Sequence, residues 1–161
     1  MANEKQIRLN IQGLEPLKKT LRDLPETLKK SGEKAVLRAG GAPIRKAAKR
    51  YAASSKDSGL LLKSIGLNVK TVKGVTSVRV GPRKGFEGKP KQVKSRKTGK
   101  IRTVTPNPIY YAHLVEFGTS RTAAKPFMRP AIDSTQGEVI DAMGKGLEKH
   151  LDRAARRLAK K

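Results

Sequence analysis

The stretch Tyr110–Asp133, with the sequence YYAHLVEFGTSRTAAKPFMRPAID, decides how this chain of 161 residues can be interpreted. The whole chain has six aromatic residues, three Phe and three Tyr, and four of the six lie in this stretch. Aromatic side chains supply the largest apolar area per residue in cores and interfaces. Their clustering therefore predicts a tightly packed structure here, either a turn in the chain's own core or a surface used for assembly.

The first half of the stretch predicts a short helix. Tyr110, Leu114 and Phe117 recur at spacings of four and three, which places them on one helical face, and we expect that face to be buried. Gly118 follows directly, and glycine accepts a positive φ without steric cost. We therefore expect the helix to end at Gly118 with a positive φ at that residue.

The second half predicts an exposed loop followed by a stiff segment. Thr119–Lys125 is polar and small in composition, as in surface loops. Pro126 and Pro130 fix their own φ and bias the residue before each towards extended structure. We expect Phe127 and Met128 to project from this segment as an exposed strut that anchors an interface, and Pro130 to lie in the first turn of a long helix.

Two motifs in this stretch resemble a known family. Tyr-Ala-x-x-Val-Glu-Phe-Gly-Thr at 111–119 and Lys-Pro-Phe-Met-Arg-Pro-Ala-x-Asp at 125–133 look like the signature of the neck or tail-completion proteins of long-tailed bacteriophages. That family includes the protein Z type of the lambda-like phages. Residues 57–65, DSGLLLKSI, and the opening segment 7–14 are also similar to the family, which leaves a basic insert at 83–107 outside the resemblance.

The resemblance implies a structural virion protein without catalytic or cofactor-binding residues. It implies a homo-oligomeric ring at the head–tail junction, six-fold or alternatively twelve-fold, assembled in the host cytoplasm. The implied neighbours are head-closure or connector proteins on one side, tail-terminator or tail-tube proteins on the other, and double-stranded genomic DNA in the lumen. The residues that carry the motif, and that we expect at interfaces, are Tyr110, Glu116, Phe117, Gly118, Thr119, Pro126, Phe127, Met128, Arg129 and Pro130.

The composition sets independent bounds on the class of protein. A chain of 161 residues is long enough for one domain, which we expect to span 1–161, and its 36% hydrophobic content predicts a thin core. The absence of cysteine excludes disulfides, thiolate metal sites and a cysteine nucleophile. No apolar run approaches the roughly 20 residues that span a bilayer, and the first ten residues lack a signal-peptide pattern, so we expect no membrane contact.

The net charge of +24 is the second strong feature of the sequence. It is most extreme at 83–105, where nine basic residues face the single acidic residue Glu87. Such a segment can be a solvated loop, a contact to duplex DNA, or a contact to an acidic protein face. We favour the protein, because a ring that bound DNA tightly from every subunit would impede ejection. The candidate contact residues are Lys94, Arg96, Lys97, Lys100 and Arg102.

A basic protein that binds nucleic acid without sequence preference is the alternative function. The charge alone would predict it. Against it, Phe86 is the only aromatic residue in the basic segment, so there is no platform on which bases could stack. The sequence also lacks a helix-turn-helix or zinc-finger pattern.

The sequence offers no catalytic constellation. His113 and Glu116 are three residues apart and could share a helical face, but two ligands without a third make a weak metal site. We interpret Glu116 instead as a partner for a basic residue or a backbone amide, and His150 as a surface residue. No phosphate-binding glycine loop or nucleophile elbow is present, so we predict that the chain is not an enzyme.

The pattern along the rest of the chain predicts an α+β fold. Alternation predicts a strand over Ile7–Leu14, and a leucine stripe from Leu14 to Leu28 predicts helix that Pro25 divides in two. We expect a kink at Gly40–Pro43 in the second helix. A small antiparallel sheet follows, with a hairpin turn at Lys73–Gly74, then an extended basic loop or hairpin, and finally a long helix over Ala131–Ala159.

Overall fold

The computed structural model describes residues 14–53 and 59–159, which form six helices and two antiparallel two-stranded sheets. This confirms the predicted α+β class. The strand predicted over Ile7–Leu14 lies outside the described residues, apart from Leu14 itself. In chain order the elements are α1 (Glu15–Arg22), α2 (Glu26–Ala53), α3 (Leu60–Ser64), β1 (Ile65–Val72), β2 (Val75–Pro82), β3 (Lys91–Lys94), β4 (Ile101–Val104), α4 (Pro108–Phe117), α5 (Met128–Asp133) and α6 (Gln136–Leu158).

The predicted division of the leucine stripe at Pro25 is confirmed. Helix α1 ends at Arg22, and α2 begins at Glu26, directly after the proline. Pro25 lacks an N–H, so it suits the start of a helix, and its carbonyl accepts hydrogen bonds from the N–H groups of Leu28 and Lys29. The leucines of α1 are half-buried against the core that α2 and α6 share.

Helix α2 continues through Gly40, Gly41 and Pro43, and the kink that we expect there stays a prediction. The two glycines serve close packing. A Cβ on Gly40 would lie 2.7 Å from Met143 Cγ of α6, and one on Gly41 would lie 2.5 Å from Leu67 Cδ1 of β1. Because such distances are too short for carbon atoms, a side chain at either position would displace Met143 or Leu67, and the glycines leave the space that these side chains fill.

Strands β1 and β2 form the predicted hairpin, with Lys73 and Gly74 as its two-residue turn. Both residues have positive φ, 48° and 79°, as a type I′ turn requires. The hairpin lies against α2, and its tip carries two exposed valines, Val72 and Val75. The register pairs Ile65 with Pro82 at the base and Val72 with Val75 at the tip.

The helix predicted over Ala131–Ala159 is wrong at its start, because the chain breaks it into α5 and α6 at Ser134 and Thr135. The buried Thr135 hydroxyl donates to the Ala131 carbonyl at 2.7 Å and occupies an acceptor that a continuous helix would use. A hydrogen bond from the Ser134 hydroxyl to Tyr51, together with the Arg50 guanidinium, lowers the pKa of the Tyr51 phenol from its ordinary value. These contacts link the break to the end of α2.

The core consists of two clusters of buried side chains. One surrounds Phe127 and the other lies between α2 and α6. No helix formed by the described residues is long and apolar enough to cross a bilayer. The first cluster contains Ala47, Ala48, Ala52, Leu61, Ile65, Ala112, Phe127 and Ala131, and the second contains Val36, Ile44, Ile132, Val139, Met143 and Leu147.

Two neighbouring glycines of α6 provide a matched test of this close packing. A Cβ on Gly146 would lie 2.5 Å from Ala39 Cβ, which cannot move without its backbone, whereas a Cβ on Gly144 would meet nothing within 4 Å. We expect Gly146→Ala to lower the free energy of unfolding by about 1–3 kcal/mol through overpacking. Gly144→Ala should instead raise it by roughly 0.5–1 kcal/mol through helix propensity. Urea unfolding of both variants measures these changes in the free energy of unfolding. Equal changes in the two variants would contradict the close α2–α6 contact.

Candidate functional site

Helix α4 begins at a well-defined cap. The Asn107 side chain accepts a hydrogen bond from the Ile109 N–H at 3.1 Å, and Pro108 takes the first helical position, where no N–H is needed. The amide of Asn107 also donates to Glu87 Oε1 at 3.1 Å. Asn107 therefore ties the basic segment to the start of the motif helix, a role that its position in front of a proline helix could have suggested.

Glu116, near the end of α4, holds the start of α5. Its side chain is buried, with the residue 4% exposed. Oε2 accepts the N–H groups of Phe127 at 2.8 Å and Met128 at 2.9 Å, and Oε1 accepts that of Arg129 at 3.1 Å. The first N–H groups of a helix have no partner within it, and no side chain at the α5 N-cap supplies one. This confirms the prediction that Glu116 binds backbone amides, and we call the arrangement the Glu116 clamp.

Gly118 ends α4 with φ 73° and ψ −177°, so the predicted positive φ is confirmed. The conformation is an extended one that essentially only glycine adopts, and not the left-handed helical one. A Cβ at this position would lie 2.8 Å from the Ala124 nitrogen and 2.9 Å from the Thr122 carbonyl oxygen. Gly118 is therefore required twice, for its dihedral angles and for the space beside the returning loop.

The loop from Thr119 to Lys125 is exposed, as predicted, but it is tied at both ends. The Thr119 hydroxyl oxygen accepts the N–H groups of Arg121 at 3.2 Å and Thr122 at 3.0 Å. The Lys125 N–H donates to the Val115 carbonyl at 2.8 Å. These bonds return the chain to α4 and deliver Pro126, itself exposed, to the Glu116 clamp.

The prediction of an exposed strut is wrong. Phe127 is 2% exposed and fills the first core cluster, where alanines of α2, α4 and α5 leave room for its ring. Met128 is half-buried and contacts both clusters. The Glu116 clamp directs the backbone inward at this point, so Phe127 packs the core of its own chain. Pro130 lies in the first turn of α5, as expected.

The predicted buried face of α4 is also wrong. Tyr110 is 75% exposed and Leu114 43% exposed, while the buried positions are Pro108, Ala112 and Glu116. Phe117 is half-buried, and the Arg129 guanidinium lies 4.6 Å from its ring centroid, a cation–π contact that the sequence did not suggest. The buried face is the one that carries the carboxylate, so hydropathy alone assigned the wrong side.

The two histidines do not build a site. His113 is exposed, whereas Glu116 is buried and occupied by three N–H groups, so the pair considered from the sequence is not formed. His150, which we expected at the surface, is half-buried, and its Nε2 lies 3.2 Å from the Ser31 hydroxyl oxygen. Among the described residues, no three His, Asp or Glu side chains lie close enough together to hold a metal ion.

The basic segment contains a second hairpin. Lys91–Lys94 pairs with Ile101–Val104, and every residue of both strands is exposed. Its base is fixed by the Asn107–Glu87 bond and by a bond of 2.8 Å from the Gly88 N–H to the Pro106 carbonyl. The five predicted contact residues lie on this hairpin or its turn, and none of them belongs to the Glu116 clamp. They are Lys94, Arg96, Lys97, Lys100 and Arg102.

A comparison with protein families identifies the chain's relatives. The family model described as "Bacteriophage HK97-gp10, putative tail-component" matches residues 15–118. The chain belongs to this HK97-gp10-like family. The match includes α4, ends at Gly118 and runs across the basic segment. The interpretation of 83–107 as an insert therefore stays a prediction. No curated protein and no solved structure matches the chain.

The Glu116 clamp can be tested by replacing its carboxylate. We expect Glu116→Gln to lower the free energy of unfolding by about 1–3 kcal/mol, because the amide group leaves at least one buried N–H without an acceptor. Glu116→Ala should lower it further, since all three N–H groups lose their acceptor. Glu138→Gln serves as the control, because Glu138 is exposed and the change removes a carboxylate charge from α6. It should change the free energy of unfolding by less than roughly 0.5 kcal/mol. A Glu116→Gln variant as stable as this control would contradict the assignment.

The requirement for glycine at 118 has a control at another positive φ. Gly85 has φ 84° with no atom within 4 Å of an added Cβ. We expect Gly85→Val to lower the free energy of unfolding by the backbone strain alone, about 1–3 kcal/mol. Gly118→Val should exceed it, because the β-branched side chain also meets Ala124 and Thr122. Thermal unfolding of both variants provides the comparison. An equal loss of stability in both would show that the loop moves away to make room for the side chain at 118.

Proposed function

We propose that the chain is a structural protein of the phage neck, forming a homo-oligomeric ring at the head–tail junction that completes the tail and joins it to the DNA-filled head. The observation that carries the proposal is membership of a family of phage tail components, matched over residues 15–118. The step from tail component to neck rests on the resemblance of the two motifs at 111–119 and 125–133. The protein is then a component of the virion.

The surface of the described chain supports assembly. Tyr110, Val75 and Ile101 are exposed by 75%, 69% and 66%, which is unusual for large apolar side chains in a chain with so few of them. The first core cluster, in turn, consists largely of alanines around a single phenylalanine. A subunit with a thin core and exposed apolar side chains gains stability when neighbours cover those side chains.

The proposed neighbours follow from position in the particle. A head-closure or connector protein contacts one face of the ring, and a tail-terminator or tail-tube protein contacts the other. The ring is six-fold, to match the symmetry of the tail, with twelve-fold as the alternative on the head side. Since Phe127 belongs to the core, the exposed face of α4 with Tyr110 and Leu114 replaces it as the motif's candidate contact surface.

A second candidate function is sequence-independent binding of nucleic acid. One observation favours it: all nine basic residues between 83 and 105 are exposed. Against it, the Phe86 ring is half-buried and lies beneath the Arg83 guanidinium, 5.2 Å from the ring centroid, so it offers no free face for a base. The five candidate residues Lys94, Arg96, Lys97, Lys100 and Arg102 are the ones that would contact phosphate.

Native mass spectrometry and negative-stain electron microscopy of the full chain test the proposed function. We expect a closed ring of six subunits that forms without nucleic acid, and a ring of twelve would change only the order. Adding a duplex oligonucleotide of unrelated sequence at several salt concentrations is the companion measurement, because phosphate contacts weaken steeply with salt. A chain that stays monomeric and gains mass only with the duplex would contradict the ring and support the second candidate.

A further inference from the structure

The hairpin of β3 and β4 is held by very little of its own chain. All eight strand residues are exposed, and the hairpin makes no extended contact with any other described helix or strand. An isolated two-stranded hairpin is at best marginally stable in water. A hairpin of four-residue strands that is attached only at its base therefore needs a surface to lie on.

The composition of the hairpin indicates what kind of surface this is. Residues opposite each other in an antiparallel pair point to the same face, so Lys91 and Val104 share a face with Val93 and Arg102. Val93 and Val104 are 44% and 37% exposed. Phosphate groups would satisfy the cations but would leave the valines in water. A protein surface with carboxylates beside apolar groups satisfies both.

Negative charge on this chain is concentrated in one place. Segment 133–152 carries five acidic residues against two lysines, a net charge of −3. Segment 14–53 has eleven basic and four acidic residues, and segment 59–132 has sixteen basic and two acidic residues. Both segments are therefore strongly basic. The five carboxylates of the acidic segment are all exposed, and they are Asp133, Glu138, Asp141, Glu148 and Asp152.

Carboxylates elsewhere in the described chain are largely engaged. Glu15 and Glu26 form ion pairs with lysines one turn away, Glu33 accepts the Thr76 hydroxyl, and Glu87 and Glu116 accept amides. Within 4.0 Å, the ion pairs formed by described residues are those of Glu15 and Glu26, so α6 contributes none. Among the described residues, the part of α6 from Glu138 to Asp152 therefore holds the main group of exposed carboxylates, and we call it the acidic face of α6. Three exposed arginines, Arg153, Arg156 and Arg157, follow it on the same helix.

On that face three carboxylates form an edge. Asp141, Glu148 and Asp152 are spaced by seven and four residues, which aligns them along one side of the helix. Lys145 stands beside this edge, four residues after Asp141 and three before Glu148, whereas Lys149 lies further round the helix. A basic hairpin approaching from the carboxylate side would meet these three negative charges along about three turns of helix.

We propose that the basic hairpin of one subunit docks on the acidic face of α6 in the next copy of the same chain. Within one chain the two surfaces make no extended contact, so the hairpin is free to reach a neighbour. Each subunit then uses two different surfaces, so the contact between neighbours is heterologous. Such contacts form a closed ring when the rotation between successive subunits closes. The inference rests on the proposed ring and names the contact that builds it.

A charge-reversal cycle tests the contact. Lys91→Glu and Arg102→Glu on the face with Val93 and Val104, together with Lys100→Glu in the turn, reverse the hairpin. A second chain with Asp141→Lys, Glu148→Lys and Asp152→Lys reverses α6. We expect each triple variant to weaken self-association roughly tenfold or more, measured by sedimentation velocity, because like charges then face each other. Joining all six changes in one chain should restore the oligomer. An equimolar mixture of the two triple variants should restore it too, because opposite charges then meet at every contact.

The control reverses the same amount of charge on α2. Lys34, Arg45 and Lys46 are exposed there, and Lys34→Glu, Arg45→Glu and Lys46→Glu should leave association within about twofold of wild type, apart from the general effect of net charge. Circular dichroism and thermal unfolding confirm that each variant is folded. Hydrogen exchange supplies an independent readout, since the amides of β3 and β4 should gain protection when the ring forms.

The outcomes separate this contact from the ring itself. A wild-type chain that never self-associates overturns both. A ring that persists in both triple variants overturns the contact and leaves the proposed function standing. If the reversed hairpin dissociates the ring but neither the six-change chain nor the mixture restores it, the hairpin docks on another surface. Unchanged association with loss of binding to a duplex oligonucleotide also overturns the contact and assigns the hairpin to nucleic acid.

Discussion

The Glu116 carboxylate is the interaction on which the rest of the motif depends. It accepts three backbone N–H groups at 2.8–3.1 Å, each at the start of a helix that has no cap of its own. Buried donors without an acceptor are costly, and a buried carboxylate without donors is more so. Each side therefore stabilises the other. The result is a rigid joint between α4 and α5, two helices separated by an exposed loop of polar residues.

The joint explains why the surrounding residues have little freedom. Gly118 must take a positive φ to start the loop beside Ala124, and the Lys125 N–H must reach the Val115 carbonyl to bring the chain back. Phe127 then enters the cluster lined by alanines, where it is the largest fully buried side chain. Removing any one contact displaces the next, so the motif behaves as one packed unit. This accounts for the close spacing of Glu116, Gly118 and Phe127 in the sequence.

Small residues play the same role on the other side of the core. Gly40 leaves room for Met143, and Gly146 faces Ala39 across the α2–α6 contact, so the two long helices approach closely around the side chains of the second cluster. Close helix packing gains dispersion energy but buries less apolar area than a leucine-rich core. The chain thus reaches a defined fold with little apolar area. Its exposed aliphatic and tyrosine side chains are then available for contacts between subunits.

Sequence patterns predicted the elements better than their orientation. The break at Pro25, the Lys73–Gly74 turn and the positive φ of Gly118 each follow from the backbone preferences of one or two residues, and all are confirmed. The buried face of α4 did not follow, because one of its three buried residues is the carboxylate of Glu116, whose donors come from residues 11–13 positions later. Phe127 was assigned to the surface for the same reason. Hydropathy cannot show that a distant side chain turns the backbone inward.

The charge distribution connects the fold to the proposed ring. Six or twelve copies that each carry +24 repel one another, and that repulsion acts over the Debye length, about 10 Å at 0.1 M salt. A ring of such subunits needs short-range attraction that is stronger than this background. In the proposed ring, the acidic face of α6 and the basic hairpin would provide this attraction at the contact itself, and the remaining positive charge would be left for the proposed DNA or acidic protein neighbours. Solubility alone does not require such a separation of charge, in which segment 133–152 is net acidic and the most basic segment lies on a hairpin that makes no extended contact with the other described helices and strands.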